Sequence, residues 1–205
     1  MNTFVVLFAW LFIFGCAAGC GVFAAMLICN RTEGFADGPA PQKLHPAIPI
    51  AIFAVLGPIL AMRGGTIGQL GIIALLGVPL TGIWYTDARK GIVPDLFTLV
   101  PLAVVAVAVL VHRSWMIAAS AIFLFVVFAI AAALSKGRGM GWGDAKLAAL
   151  SGAVLGIESS LLTLALACFA ATVVSVIRDK GTKPIAFAPY IVIGMLTALA
   201  FSIHA

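Results

Sequence analysis

Charge is what this sequence has least of. Only 9% of its 205 residues are Asp, Glu, Lys or Arg, against 63% hydrophobic, and the mean hydropathy is +1.21. A water-soluble domain carries about 25% charged residues, so this composition excludes one and leaves a polytopic membrane protein. No polar run is long enough to fold alone, which makes residues 1–205 a single integral-membrane domain. No CxxC occurs: Cys16, Cys20, Cys29 and Cys168 lie in or at the ends of apolar segments, where they read as small packing residues. The histidines, His45, His112 and His204, fall in three separate connecting or terminal positions, so a His-based metal site would have to gather distant loops. The expectation is therefore no metal and no cofactor. No basic patch is interleaved with aromatics, which excludes nucleic acid as a partner. The net charge of +5 reads as a topology signal in a chain whose first partner is the lipid bilayer.

Long apolar runs make up most of the rest. Candidate spans lie at about 4–29, 46–62, 67–85, 96–111 and 115–134. The first is read as a span and not a signal peptide, because Met1-Asn2-Thr3 supplies no basic residue before it. Residues 145–177 hold only Lys146 and Glu158 as charges, and that length needs two helices with a turn near 156–160; 185–202 makes the last. The pattern predicts an all-α bundle of about eight transmembrane helices, with a short Gly- and Pro-rich loop at 30–45. With eight spans both termini share a side. Arg31, Lys43, Arg89, Lys90, Lys136, Arg138, Lys146, Arg178, Lys180 and Lys183 then fall on one face and only Arg63 and Arg113 on the other, out of twelve basic residues in all. Positive charge is retained inside, so the ten face the cytoplasm, the 30–45 loop is cytoplasmic, and the N- and C-termini are outside.

Of the seven acids, only Asp87, Asp95 and Asp144 lie at cytoplasmic helix ends beside apolar sequence. An acid in or next to the membrane is a functional candidate by default. Asp95 follows Pro94 and precedes Leu96-Phe97-Thr98, which reads as a cap at the start of a helix. Asp87 sits near a helix carboxyl end, where the dipole disfavours it; function and simple neutralisation by Arg89 and Lys90 are both open. Asp144 stands in Gly139-Met140-Gly141-Trp142-Gly143-Asp144-Ala145-Lys146-Leu147. Capping would account for the acid there but not for Gly139, Gly141 and Gly143, which predict a close approach by another backbone. Two carboxylates brought together share a proton. One can then deprotonate a water while the other protonates a peptide carbonyl. No Ser or Cys has a His beside it on the same side to act as a nucleophile instead.

These residues resemble the aspartic prepilin peptidases, membrane proteases with a GxGD motif that trim the leader of type IV prepilins. Gly141-Trp142-Gly143-Asp144 is the GxGD, and its continuation through Ala145-Lys146-Leu147 to Gly152-Ala153-Val154-Leu155-Gly156 is similar to the family's GxGDxKL…GAxxG run. Asp87 with Ile92-Val93-Pro94-Asp95 resembles the first aspartate and its downstream Ile-Pro-Asn/Asp, with Val93 inserted. Ala186-Phe187-Ala188-Pro189-Tyr190 with Gly194 is similar to a closing PFGPF…G element. The resemblance covers about residues 67–200. It implies catalysis by Asp87 and Asp144 supported by Gly141, Gly143, Lys146, Pro94, Asp95 and Pro189. It also implies prepilin or pseudopilin substrates with basic leaders, and a multi-pass protein of the bacterial cytoplasmic (inner) membrane. Family members that also methylate the new amino terminus carry a Cys-rich zinc insert after the first span. Residues 30–45 hold no Cys, so the resemblance extends to a peptidase, of the kind serving tight-adherence or Flp-type pili, and not to the methyltransferase.

Two other readings stand beside it. A presenilin-like or signal-peptide-peptidase enzyme shares GxGD but shows a Pro-Ala-Leu element that this chain lacks. A proton-coupled transporter would also use paired acids, but near the midplane and often in repeated halves, whereas these acids lie at one face and no repeat is visible.

Overall fold

The computed structural model describes residues 3–32, 44–135, 141–179 and 185–202, and all the regular structure among them is helical. Seven helices follow in order: α1 (Thr3–Arg31), α2 (Ala47–Met62), α3 (Ile67–Lys90), α4 (Asp95–His112), α5 (Trp115–Leu134), α6 (Trp142–Asp179) and α7 (Ala188–Ser202). Five of them (α1, α3, α4, α5 and α6) are long and apolar enough to cross a membrane, while α2 and α7 are shorter apolar helices. Most of the expected 30–45 loop lies outside the described residues, as do Gly139, Lys136, Arg138, Lys43, Lys180 and Lys183. Asn30 and Arg31 belong to α1 instead.

The 38 residues of α6 would make a rod of about 57 Å at 1.5 Å per residue, nearly twice the hydrocarbon thickness of about 30 Å. It is not a rod, because Gly156 interrupts it at φ 75°, ψ 175°. That conformation is essentially open to glycine alone. The break falls where the sequence called for a turn, and it divides α6 into arms of 142–155 and 157–179. Asp144 and Cys168, equally far from Gly156 in sequence, lie within electrostatic reach of each other, so the second arm folds back along the first.

Helix α3 is the central element. It packs against α1, α2, α4 and α7, while α6 packs against α4, α5 and α7. The sequence placed the end of this helix at Tyr85. In the structure it runs on to Lys90 and stops at Gly91, whose left-handed conformation (φ 66°) lets its N–H donate to the Asp87 carbonyl at 2.8 Å. Asp87 is therefore a residue of the last helical turns. At the opposite end, Arg63 pins α7 beside the start of α3: its Nη1 donates to the Ala200 carbonyl at 2.8 Å and its guanidinium lies 4.7 Å over the Phe201 ring. The start of α7 is thereby set at the level of Asp87, antiparallel to α3.

Candidate functional site

Among the described residues, Asp87 and Asp144 are the only buried side chains that carry a formal charge, at 6% and 9% exposure. An isolated buried carboxylate costs several kcal/mol, so what surrounds these two decides whether the fold can hold them. The carboxylate of Asp87, on α3, accepts the backbone N–H of Ala188 at 3.0 Å through Oδ2, and the Phe187 amide contributes to the same group. Those amides open α7, where a helix N-terminus presents unsatisfied donors and a positive dipole end. Asp144 is the third residue of α6, and its Oδ2 accepts the N–H of Gly141 at 2.9 Å. That bond is half of a capping box. Each acid is thus held by a helix amino terminus, and the two are close enough to feel each other's charge.

The segment between α3 and α4 brings them together. A Cβ added to Gly143 would lie 2.7 Å from Val93 Cβ, so the absence of a side chain there lets Val93 seat against the start of α6. A close approach exists at Gly143, but it is made by the Val93 side chain and not by another backbone as expected. It does not extend to Gly141, where an added Cβ would meet Asp144 Oδ2 at 3.6 Å, an ordinary contact. Two residues beyond Val93, Asp95 forms an ion pair with Lys146 of α6.

Asp95 corrects the capping expectation. Pro94 occupies the N-cap position of α4 at φ −66°, ψ 137°, no side-chain cap bond forms, and Asp95 is already the first helical residue with its carboxylate turned to Lys146. Neutralisation of Asp87 by its neighbours does not occur either. The Arg89 guanidinium lies 5.7 Å over the Tyr85 ring, and the ion pair among the described residues is the one at Lys146. Pro189 stands in the first turn of α7, where a missing N–H is harmless.

Sequence reasoning missed Val93 as the wedge and the Phe187 and Ala188 amides as donors. The wedge could have been sought at the one residue that departs from the Ile-Pro spacing. A backbone amide leaves no signature, since every residue except proline has one.

Fold and site together define a multi-pass helical membrane protein with two buried acids converging at one end of the bundle. The sequence model of the type IV leader peptidase family matches residues 72–176, a little over half of the chain and inclusive of both acids. The chain belongs to that family, and it is a peptidase of the type IV leader peptidase kind. No curated protein and no solved structure matches it.

Proposed function

We propose that this peptidase is an aspartic endopeptidase that removes the leader of prepilin-type substrates at the cytoplasmic face of the bacterial inner membrane, with Asp87 and Asp144 as the catalytic pair. The observation that carries this reading is the convergence of two buried carboxylates, each held by backbone amides of a helix start. One carboxylate takes a proton from water as the oxygen adds to the scissile carbonyl carbon, and the other gives its proton to the carbonyl oxygen. In the second step the C–N bond breaks. The acid that gained a proton passes it to the leaving nitrogen, and the other recovers one from the diol, which becomes the new carboxyl group. Incubating the purified protein with a prepilin tests the reading: a product shortened by its leader is expected, and an uncut substrate would refute it.

We read the two arms of α6 as separate spans, eight in all with both termini outside; the break at Gly156 and the distribution of basic residues support that reading. In a cysteine-free background, a single cysteine beside Lys90 should be shielded from an impermeant thiol reagent in intact cells, whereas one beside Arg113 should be labelled. The reverse pattern would place the acids on the wrong side for leaders not yet exported.

The steps above call on two carboxylates and a water and on no metal. Cleavage should survive EDTA at its untreated rate. Inhibition by the chelator that zinc reverses would sink the metal-free reading.

A further inference from the structure

Among the described residues no Cα of α3 lies within 8 Å of one in α6, so the helices that carry the two acids do not pack directly on each other. Helices α4 and α7 touch both and stand between them. What holds Asp87 at its distance from Asp144 is therefore a pair of spacers. One is the start of α7, whose Ala188 amide meets Asp87. The other is the first turn of α4 with the residues that lead into it. Helix α4 has 18 residues, of which only Phe97, Thr98 and Val109 are buried, so its packed part is chiefly this turn. The turn has two edges. On one, Val93 seats against Gly143 of α6. On the other, the Phe97 ring, 5% exposed, lies so close to Gly82 of α3 that a Cβ added there would come within 2.7 Å of Cε2 and Cζ. The Gly82 carbonyl in turn accepts the Thr86 hydroxyl at 3.0 Å, and Thr86 directly precedes Asp87. Packed interiors yield little and transmit strain, so a shift at the Gly82 seat reaches the acid through a single helical turn.

We propose that Phe97 is a positioning residue for the reaction: seated on Gly82, it sets the separation of Asp87 and Asp144 through the first turn of α4. The assignment rests on the peptidase reading above and adds a buried side chain that acts on the acids through α3. The Asp95–Lys146 pair lies on the same turn, but an exposed ion pair contributes little. The separation depends on the two apolar seats, Val93 on Gly143 and Phe97 on Gly82.

Phe97→Ala empties the seat and Gly82→Ala crowds it. With a synthetic prepilin-type peptide carrying a basic leader and a glycine at the cut, each should lower kcat roughly 10²-fold, as a displacement near 1 Å does, while KM changes far less. Leucine has no Cε2 or Cζ, so Phe97→Leu added to Gly82→Ala should restore most of kcat. Rates are compared below the melting temperature of every variant, and should Phe97→Ala fail to fold, Gly82→Ala and its suppressor decide alone. A second readout needs no substrate. Spin labels on cysteines that replace Lys90, at the end of α3, and Trp142, at the start of α6 and 58% exposed, report the distance between the two helices in otherwise cysteine-free protein. Gly82→Ala should shift or broaden that distance distribution, and the added Phe97→Leu should return it to the parent's. An unaltered distance, a loss carried by KM, or a failure of Phe97→Leu to rescue would each overturn the assignment. A shifted and rescued distance in a protein whose unaltered form never shortens the peptide would instead sustain the spacer and overturn the peptidase reading.

Discussion

Asp87→Asn and Asp144→Asn should each reduce turnover by roughly 10³-fold or more, within the range that positioned general acid–base groups supply. The amide oxygen of Asn can still accept from Ala188 or Gly141, at the positions where the carboxylates now do so at 3.0 and 2.9 Å. Both variants should therefore fold and purify like the parent, and the loss belongs to the chemistry, since an amide can neither take nor give the proton. The double variant should be hardly slower than either single one, because groups that act as one unit are strongly non-additive. Activity of the parent should follow a bell in pH whose two limbs report the pair and not either residue. Two multiplicative losses in the double variant, as measured by initial rates, would mean that the acids work separately.

Gly143→Ala should reduce turnover by roughly 10²-fold although it adds a single methyl group. Its new Cβ would lie 2.7 Å from Val93 Cβ, a separation that forces the start of α6 away from the α3–α4 segment. Overpacking of this kind costs about 1–3 kcal/mol. The larger effect falls on rate: Asp144 is the next residue, and a displacement near 1 Å costs roughly 10²-fold. Val93→Gly removes the opposing Cβ and should restore most of the lost activity to Gly143→Ala. Gly141→Ala, which meets only an ordinary contact, should cost far less although it alters the same GxGD motif. Rates for the three variants check the wedge, and a failure of Val93→Gly to rescue would remove Val93 from the account.

The helices were legible because each apolar run is long and its ends are marked. Trp115–Leu134 matches its sequence reading residue for residue, and the break in α6 falls at Gly156 within the stretch that had to hold a turn. The end of α3 was misjudged for the opposite reason. Thr86 to Lys90 is polar enough to look like loop, yet the helix continues until Gly91 supplies a left-handed stop. Asp95 was misread because Pro94 takes the cap position, which frees the carboxylate to reach another helix. The two acids could be picked out as candidates from their position beside apolar sequence. Their amide donors could not, because the contact between α7 and Asp87 spans 101 residues of chain and depends on no side-chain type.

The choice of partner for Asp144 is the centre of this account, and Asp95 is the rival to Asp87. Asp95 is 63% exposed and its pair with Lys146 is a surface ion pair, worth up to about 1 kcal/mol. The deciding measurement is the initial rate of prepilin cleavage by purified Asp87→Asn and Asp95→Asn, side by side with the parent. Asp95→Asn should retain most of the parental rate and Asp87→Asn almost none. An inactive Asp95→Asn beside an active Asp87→Asn would contradict the pairing of Asp87 with Asp144.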